Sequence, residues 1–496
     1  MNSLSQYRWV RVLGYFVVFM AVFATVAAIA LALRFAADRP VTYDHIEEHF
    51  KYGSTGGERE SGFPLWIFKA LPQVCARHLP GKGYESLGFI YEDQRELPIG
   101  MSLRRNRGID RTFLNCSVCH ASTVRESPAA TPRVYLGMPA NTFNLMAFQK
   151  FIFACGRDPK FSTEFIVPEI ARLMQDSGEH LGLVDRYVVY PVATWLMRER
   201  LLMLAGRFDW TERQQLWGPG RVDTFNAAKV LFNFRMNELP AHELDGPADF
   251  PSIWNQQSRQ GMQLHWDGNN TAVEERNKSA AFGTGTTPPT LDRNAIGRIE
   301  DWLLTLAAPK YPFPIDADLA GRGSRVYAQY CAGCHGASGA DFTGEFVGKV
   351  TPLAEVGTDR RRLDTYTYDL AVTQSTLYAG YDWRFSHFRK TFGYANMPLD
   401  GVWLRAPYLH NGSVPTVRDL LEPSSRRPAM FYRGDDVYEP TRVGFRSNTA
   451  ADGGRVFFRY DTTAAGNSNG GHEGERYGTE LPPQDKDALV EFLKTF

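Results

Sequence analysis

Cysteine and histidine are scarce in this chain, six and eleven among 496 residues, and net charge is lacking, because 55 basic side chains balance 55 acidic ones. The balance leaves no basic stripe of the kind nucleic acid requires, so nucleic acid is not an expected partner. What little cysteine there is falls into a pattern: Cys116-Ser117-Val118-Cys119-His120 and Cys331-Ala332-Gly333-Cys334-His335 are both CxxCH runs. In a c-type attachment site the two thiols hold the porphyrin edge and the adjacent histidine becomes the proximal ligand to iron. Zinc is the competing reading, but a zinc ribbon brings its CxxC pairs within about 15–20 residues of each other, and here most of the protein separates them. The expectation is therefore two covalently bound haem c groups, held by Cys116, Cys119 and His120 and by Cys331, Cys334 and His335.

From Val12 to Leu33 the sequence carries no charge and is bounded by Arg11 and Arg34, which is long enough to cross a bilayer once as a helix. A cleaved signal peptide is the alternative, with Ala30-Leu31-Ala32 as a small-x-small site, but the apolar run exceeds the usual core of about 7–15 residues. The expected layout is a cytoplasmic N-terminus at 1–11, an anchor at 12–33 in the bacterial inner membrane, and a periplasmic body, since thioether attachment of haem takes place outside that membrane. In such a compartment Cys75 and Cys155 are free to pair, although sequence does not show whether their Cα atoms lie close enough.

Length and a 43% hydrophobic content suit two domains with sizeable cores. An internal repeat supports that count. Ile296, Ile299, Leu303 and Leu306 form an apolar stripe at helical spacing, and Asp301-Trp302-Leu303-Leu304-Thr305-Leu306 reads alongside Glu491-Phe492-Leu493-Lys494-Thr495-Phe496. Gly323 and Tyr327 lie four apart in a stretch running into Cys331, like the entering helix of a class I cytochrome c. Pro309, Pro312 and Pro314 make a stiff boundary. The expected fold is mainly α: two class I cytochrome c-like domains, 40–308 and 316–496, with long loop-rich insertions, behind one transmembrane helix. Within the first insertion Asn141 is expected to cap a helix bearing Leu145, Phe148, Ile152 and Phe153, ending at Gly156, with those aromatics as ordinary core.

Several further segments carry a resemblance. They are Leu136-Gly137-Met138-Pro139-Ala140, the stretch from Trp217 to Phe225, Ala406-Pro407-Tyr408-Leu409-His410-Asn411-Gly412-Ser413-Val414-Pro415-Thr416, and Gly466-Asn467-Ser468-Asn469 followed by Gly471-His472. With the two CxxCH runs they resemble the bacterial di-haem cytochrome c peroxidase superfamily, in its rubber-oxygenase-like branch. The resemblance implies that haem 1 is the oxygen-binding centre with Phe232 or Phe234 over it, and that Trp217 lies between the haems. Met138 is an exceptional candidate for its distal ligand, and Glu126 is the carboxylate nearest in sequence.

For haem 2, His472 in its Gly/Asn-rich loop is the first choice of distal ligand, with Met397 and His410 as alternatives. These residues imply an oxidoreductase activating peroxide or dioxygen at haem 1 and relaying electrons through haem 2. Its expected partners are a small electron-donor cytochrome or respiratory partner, and an apolar substrate in the oxygenase version. A non-enzymatic di-haem electron-transfer cytochrome is the alternative.

Overall fold

A computed structural model of the chain describes residues 3–496; Met1 and Asn2, part of the expected cytoplasmic stretch, lie outside the described residues. The first element is helix α1 (Ser3–Ala36), apolar and solvent-exposed from Arg8 to Ala36, with no packing partner along most of its length. By length and composition it suits a membrane anchor or a signal sequence. It leads directly into a four-stranded antiparallel sheet of β1 (Asp38–Pro40), β2 (Phe63–Pro64), β3 (Met101–Asn106) and β4 (Ile109–Leu114), ordered β1-β3-β4-β2. The β3–β4 hairpin pairs Met101 with Leu114 and Asn106 with Ile109, and its two-residue tip, Arg107-Gly108, has φ of 51° and 78°. Positive φ at both central residues is the tight hairpin turn whose twist matches the strands.

Helices supply most of the remaining regular structure. Those that position the site are α2 (Ile46–Tyr52), α3 (Leu65–Val74), α4 (Leu145–Arg157), α5 (Thr163–Asp176), α6 (Tyr190–Arg207), α7 (Thr224–Leu231), α8 (Arg293–Thr305), α9 (Ala317–Tyr330) and α10 (Pro483–Leu493). The cap of α4 differs from expectation. Asn144, not Asn141, accepts from the backbone of Ala147 at 3.0 Å, and the helix runs one residue past Gly156. Asn141 is drawn away because its amide donates to the carbonyl of Asp435, 294 residues distant, at 2.6 Å. Cys75 and Cys155 form a disulfide across a Cα separation of 5.5 Å, tying the end of α3 to α4.

The repeat seen in sequence folds as two helix crossings. In the second, Gly323 of α9 lies so close to α10 that an added Cβ would stand 1.9 Å from the carbonyl oxygen of Ala488, while Tyr327 meets Phe492 and Phe496 at ring separations of 5.3 and 4.9 Å. In the first, α8 buries Ile296, Ile299 and Leu303 and meets α2, where Phe50 lies 5.1 Å from Trp302 and His49 Nε2 is 3.0 Å from the carbonyl of Ala295. Helix α2 is thus the counterpart of α9, unrecognised in the sequence because it is short and ends at Tyr52, far upstream of Cys116, whereas α9 runs straight into Cys331.

Between Thr305 and Ala317 no regular element forms, as the prolines imply, but the segment is packed: Trp403 donates to the carbonyl of Pro309 at 2.8 Å and Tyr311 lies 5.6 Å from the Trp403 ring. One buried cluster joins Val124, Tyr135, Met138 and Trp254 to Tyr327, Trp403, Tyr408 and Leu489, so the two halves share a core.

Candidate functional site

Each CxxCH run forms a four-residue helical turn, Ser117–His120 and Ala332–His335, and all four cysteines in them are free thiols. The two histidines are oriented in the same way. His120 Nδ1 donates to the carbonyl of Pro251 at 2.9 Å, and His335 Nδ1 donates to the carbonyl of Met397 at 2.7 Å. In each case Nε2 is left available to a metal, and a backbone carbonyl on Nδ1 is the arrangement that fixes the tautomer of a ligand histidine. Burial is the main cause that keeps both imidazoles neutral, pulling His120 down to about 3 and lowering His335 as well.

The surroundings of the two turns differ. Cys116, Cys119 and His120 line a cavity of about 960 Å³ whose wall is mostly apolar and aromatic. The α4 side chains Leu145, Phe148, Ile152 and Phe153 belong to the hydrophobic core, as expected, and also line this wall. Phe232 also lines it, just past the C-terminus of α7, with its ring stacked on Phe282 at 5.1 Å.

Other expected residues lie elsewhere. Phe234 packs against Trp217, Met146 and Trp210, and neither Phe234 nor Trp217 lines the cavity; the Trp217 indole donates to Gln214 at 3.0 Å. Met138 is fully buried in the shared core, away from the cavity wall. Glu126 is exposed and outside the wall.

Two titratable residues that the sequence did not mark line the cavity instead. Glu300, on α8, has an unpartnered Oε1, and burial raises its carboxyl to about 7 against the opposing pull of Lys278. His265 is pinned through Nδ1, 2.6 Å from Asn269 Oδ1, and burial lowers it to about 4. No motif marks either one; only the helical phase of Glu300, one residue after Ile299 on the buried stripe of α8, offered a signal.

At the second turn His335 faces His472, with ring centroids 6.2 Å apart. That spacing suits two imidazoles on opposite sides of one metal at bonds of about 2 Å. Gly471 makes the approach possible: at φ 80° an added Cβ would lie 2.3 Å from the backbone of Gly357 and Thr358, and His472 N donates to Val356 at 2.6 Å. His472 Nδ1 has no partner, and burial followed by the neighbouring His335 pulls the ring down to about 3.

The two alternatives are disposed otherwise. Met397 gives its carbonyl to His335 Nδ1, which places its backbone on the side of the ring away from Nε2. His410 lies 3.0 Å through Nε2 from the Tyr394 hydroxyl and stacks on that ring at 4.0 Å, a supporting contact rather than a free ligand nitrogen.

A second tryptophan, Trp254, links the segments behind the two histidines. Three residues beyond Pro251, its indole donates at 3.0 Å to the carbonyl of Asp400, itself three residues beyond Met397. The Asp400 carboxylate is held by Asn255 at 2.7 Å, by Arg405 at 2.6 Å and by Arg259, which also donates to the Trp254 carbonyl at 2.9 Å.

A family model described as RoxA-like, cytochrome c-like, matches residues 393–432, the segment that carries Met397, Asp400 and His410. The chain is 32% identical to the uncharacterized protein y4iM of Sinorhizobium fredii (strain NBRC 101917 / NGR234) over 50% of this chain and 64% of that protein. It is 27% identical to the uncharacterized protein y4iJ of the same strain, over 56% of this chain and 60% of that protein. The chain therefore spans less than two thirds of the length of these relatives. A cytochrome c-like segment implies covalently bound haem c, and over residues 393–432 this chain is similar to the RoxA-like haem cytochromes.

Proposed function

We propose that the chain is a membrane-tethered, periplasmic di-haem c-type oxidoreductase, with the reacting centre at Cys116, Cys119 and His120 and an electron relay at Cys331, Cys334, His335 and His472. The residues suit such groups: paired free thiols stand beside neutral imidazoles whose Nδ1 atoms are already spoken for, and His472 keeps a buried ring aimed at His335. A haem c with an open axial position supplies the binding and activation of dioxygen or peroxide. One asymmetry carries the reading: His335 faces a second imidazole at 6.2 Å, whereas His120 opens on a cavity of about 960 Å³.

The haem bonded to Cys116 and Cys119 must itself fill part of that cavity, and the mostly apolar and aromatic wall beyond it favours oxygenation of an apolar, unsaturated substrate over turnover of peroxide alone. In that reaction both atoms of dioxygen add across a carbon–carbon double bond, with no external reductant. Phe232 and Phe282 shape the chamber and exclude water. Glu300, near neutrality, holds or releases a proton at its wall. Between the centres, the route from His120 through Pro251, Trp254, Asp400 and Met397 to His335 runs through covalent bonds and three hydrogen bonds, crossing the Trp254 indole. Gly333 is exposed beside Cys334, so a small cytochrome or respiratory donor can approach the second centre there.

Purified holoprotein should carry two covalent haems by mass and consume oxygen with an isoprenoid substrate, and Phe232→Ala should lower that rate about tenfold. Peroxide turnover with a reduced cytochrome and no oxygen uptake would replace the oxygenase reading by a peroxidase. Two low-spin centres in every redox state, inert to both oxidants, would make it an electron carrier.

A further inference from the structure

The cavity beside His120 opens next to the end of α1. Its exposed wall residues include Phe35, in the last turn of that helix, and Val188, Val192 and Leu196, each about half exposed. Three contacts fix this junction. Arg34 forms an ion pair with Asp185, its Nε donates to the carbonyl of Gly108 at 2.9 Å, and the Phe35 ring lies where a Cβ on Gly108 would stand, at 2.7 Å. The β3–β4 hairpin tip and the start of α6 are thereby held at the level where α1 leaves the bilayer.

The surface around that mouth is apolar in its own right. Leu183, Tyr187 and Trp195 are 75%, 70% and 60% exposed, and with Val188, Val192 and Leu196 they form one face of the segment entering α6, interrupted by Glu199. A contiguous exposed apolar face beside a membrane helix is the signature of an interfacial segment, with its aromatic residues at headgroup level.

The mouth is also cationic. Arg107, Arg111 and Arg200 all line the cavity. Arg107 is exposed at the hairpin tip; among the described residues Arg200 pairs with a single carboxylate, Glu60 at 3.8 Å, and the buried Nε of Arg111 has no partner. Burial is the main cause that draws Arg111 down to about 10, with the charges of Arg107 and Arg200 acting in the same direction and Glu60 opposing them.

We infer that this face lies in the bilayer surface and that the mouth of the cavity, outside the space taken by the haem on Cys116, Cys119 and His120, takes an anionic long-chain lipid from it, headgroup on Arg107, Arg111 and Arg200 and chain directed inward past Phe113 and Phe153. The inference rests on α1 being a retained anchor, and it supplies the substrate class for the reaction proposed above.

The test is photolabelling of full-length holoprotein in vesicles containing a phosphatidylglycerol with a diazirine in one acyl chain, with adducts mapped by peptide mass. Adducts are expected on α1, on 183–203 and on the peptide bearing Phe232. The last should fall at least fivefold with a phosphatidylcholine probe, and likewise in Arg107→Gln/Arg200→Gln. The comparison of the two lipids on the unaltered protein decides the matter should that variant not fold. Labelling of α1 without 183–203 would overturn the inference while leaving the anchor intact. Equal cavity labelling by both lipids would overturn headgroup recognition. An unlabelled α1 would instead show that the anchor itself is misassigned, and the inference would fall with it.

Discussion

His472, the proposed distal ligand, illustrates how backbone conformation can aim a ring. A residue at φ 50° is uncommon outside glycine, and here that conformation, together with Gly471, turns the ring toward His335 instead of along the loop. Changing His472 to Ala removes the ring without touching the attachment thiols or the contact from His335 to Met397. The expected result is a protein that retains both haems and its fold but loses one low-spin signal in electron paramagnetic resonance. Retention of that signal would transfer ligation to another residue. Trp254 is a positioning residue of a different kind, since its indole bonds the carbonyl of Asp400 and so locks together the segments that orient His120 and His335. Trp254→Phe keeps the packing and deletes the hydrogen bond, so electron equilibration between the centres should slow while substrate KM stays unchanged.

At the scale of elements, the crossing of α9 and α10 depends on Gly323. Ordinary overpacking costs about 1–3 kcal/mol, and a Cβ 1.9 Å from backbone rather than from a flexible side chain belongs at the upper end. Gly323→Ala should therefore lower stability by about 2 kcal/mol or more despite alanine's better helix propensity, measurable as a fall in denaturation midpoint. The disulfide linking α3 to α4 closes a separation of 80 residues. On the chain-entropy account, Cys75→Ser with Cys155→Ser should lose about 4.5 kcal/mol, read from the same denaturation curves under oxidising conditions. That pairing was open from sequence because nothing local reports a distance across 80 residues, whereas the helices themselves were legible from the spacing of Ile296, Ile299 and Leu303. The misplaced cap of α4 has the same origin. Asn141 and Asn144 are equivalent by local chemistry, and a carbonyl from the other half of the chain decides between them.

For the molecule as a whole, the two halves are joined by charge as well as by shared core. Burial alone would raise the Asp436 carboxyl, but hydrogen bonds from Arg125 and Thr123 and the charge of Arg455 outweigh it and hold the group below its ordinary range. Arg125 and Thr123 both reach it at 2.7 Å from the N-terminal half. A carboxyl whose pKa falls on folding adds stability that is complete above its unfolded value of about 3.9 and is lost as pH falls through the lower, folded value. Asp436→Asn should lower the melting temperature at neutral pH and flatten the loss of stability below about pH 4. An unchanged acid limb would show that this junction does not couple the halves.

Covalent attachment chemistry, the apolar run of α1 and the helical stripes are written in neighbouring residues, because thiol spacing and side-chain periodicity are local properties, and these the sequence by itself determined. Folding alone decided that His472 stands 6.2 Å from His335, that Phe232 and Glu300 but not Phe234 or Glu126 line the cavity, and that Trp254 bonds the segment behind one histidine to the segment behind the other. Each of those choices turns on which segments, tens to hundreds of residues apart, come within a few ångströms, and the shared core sets that distance.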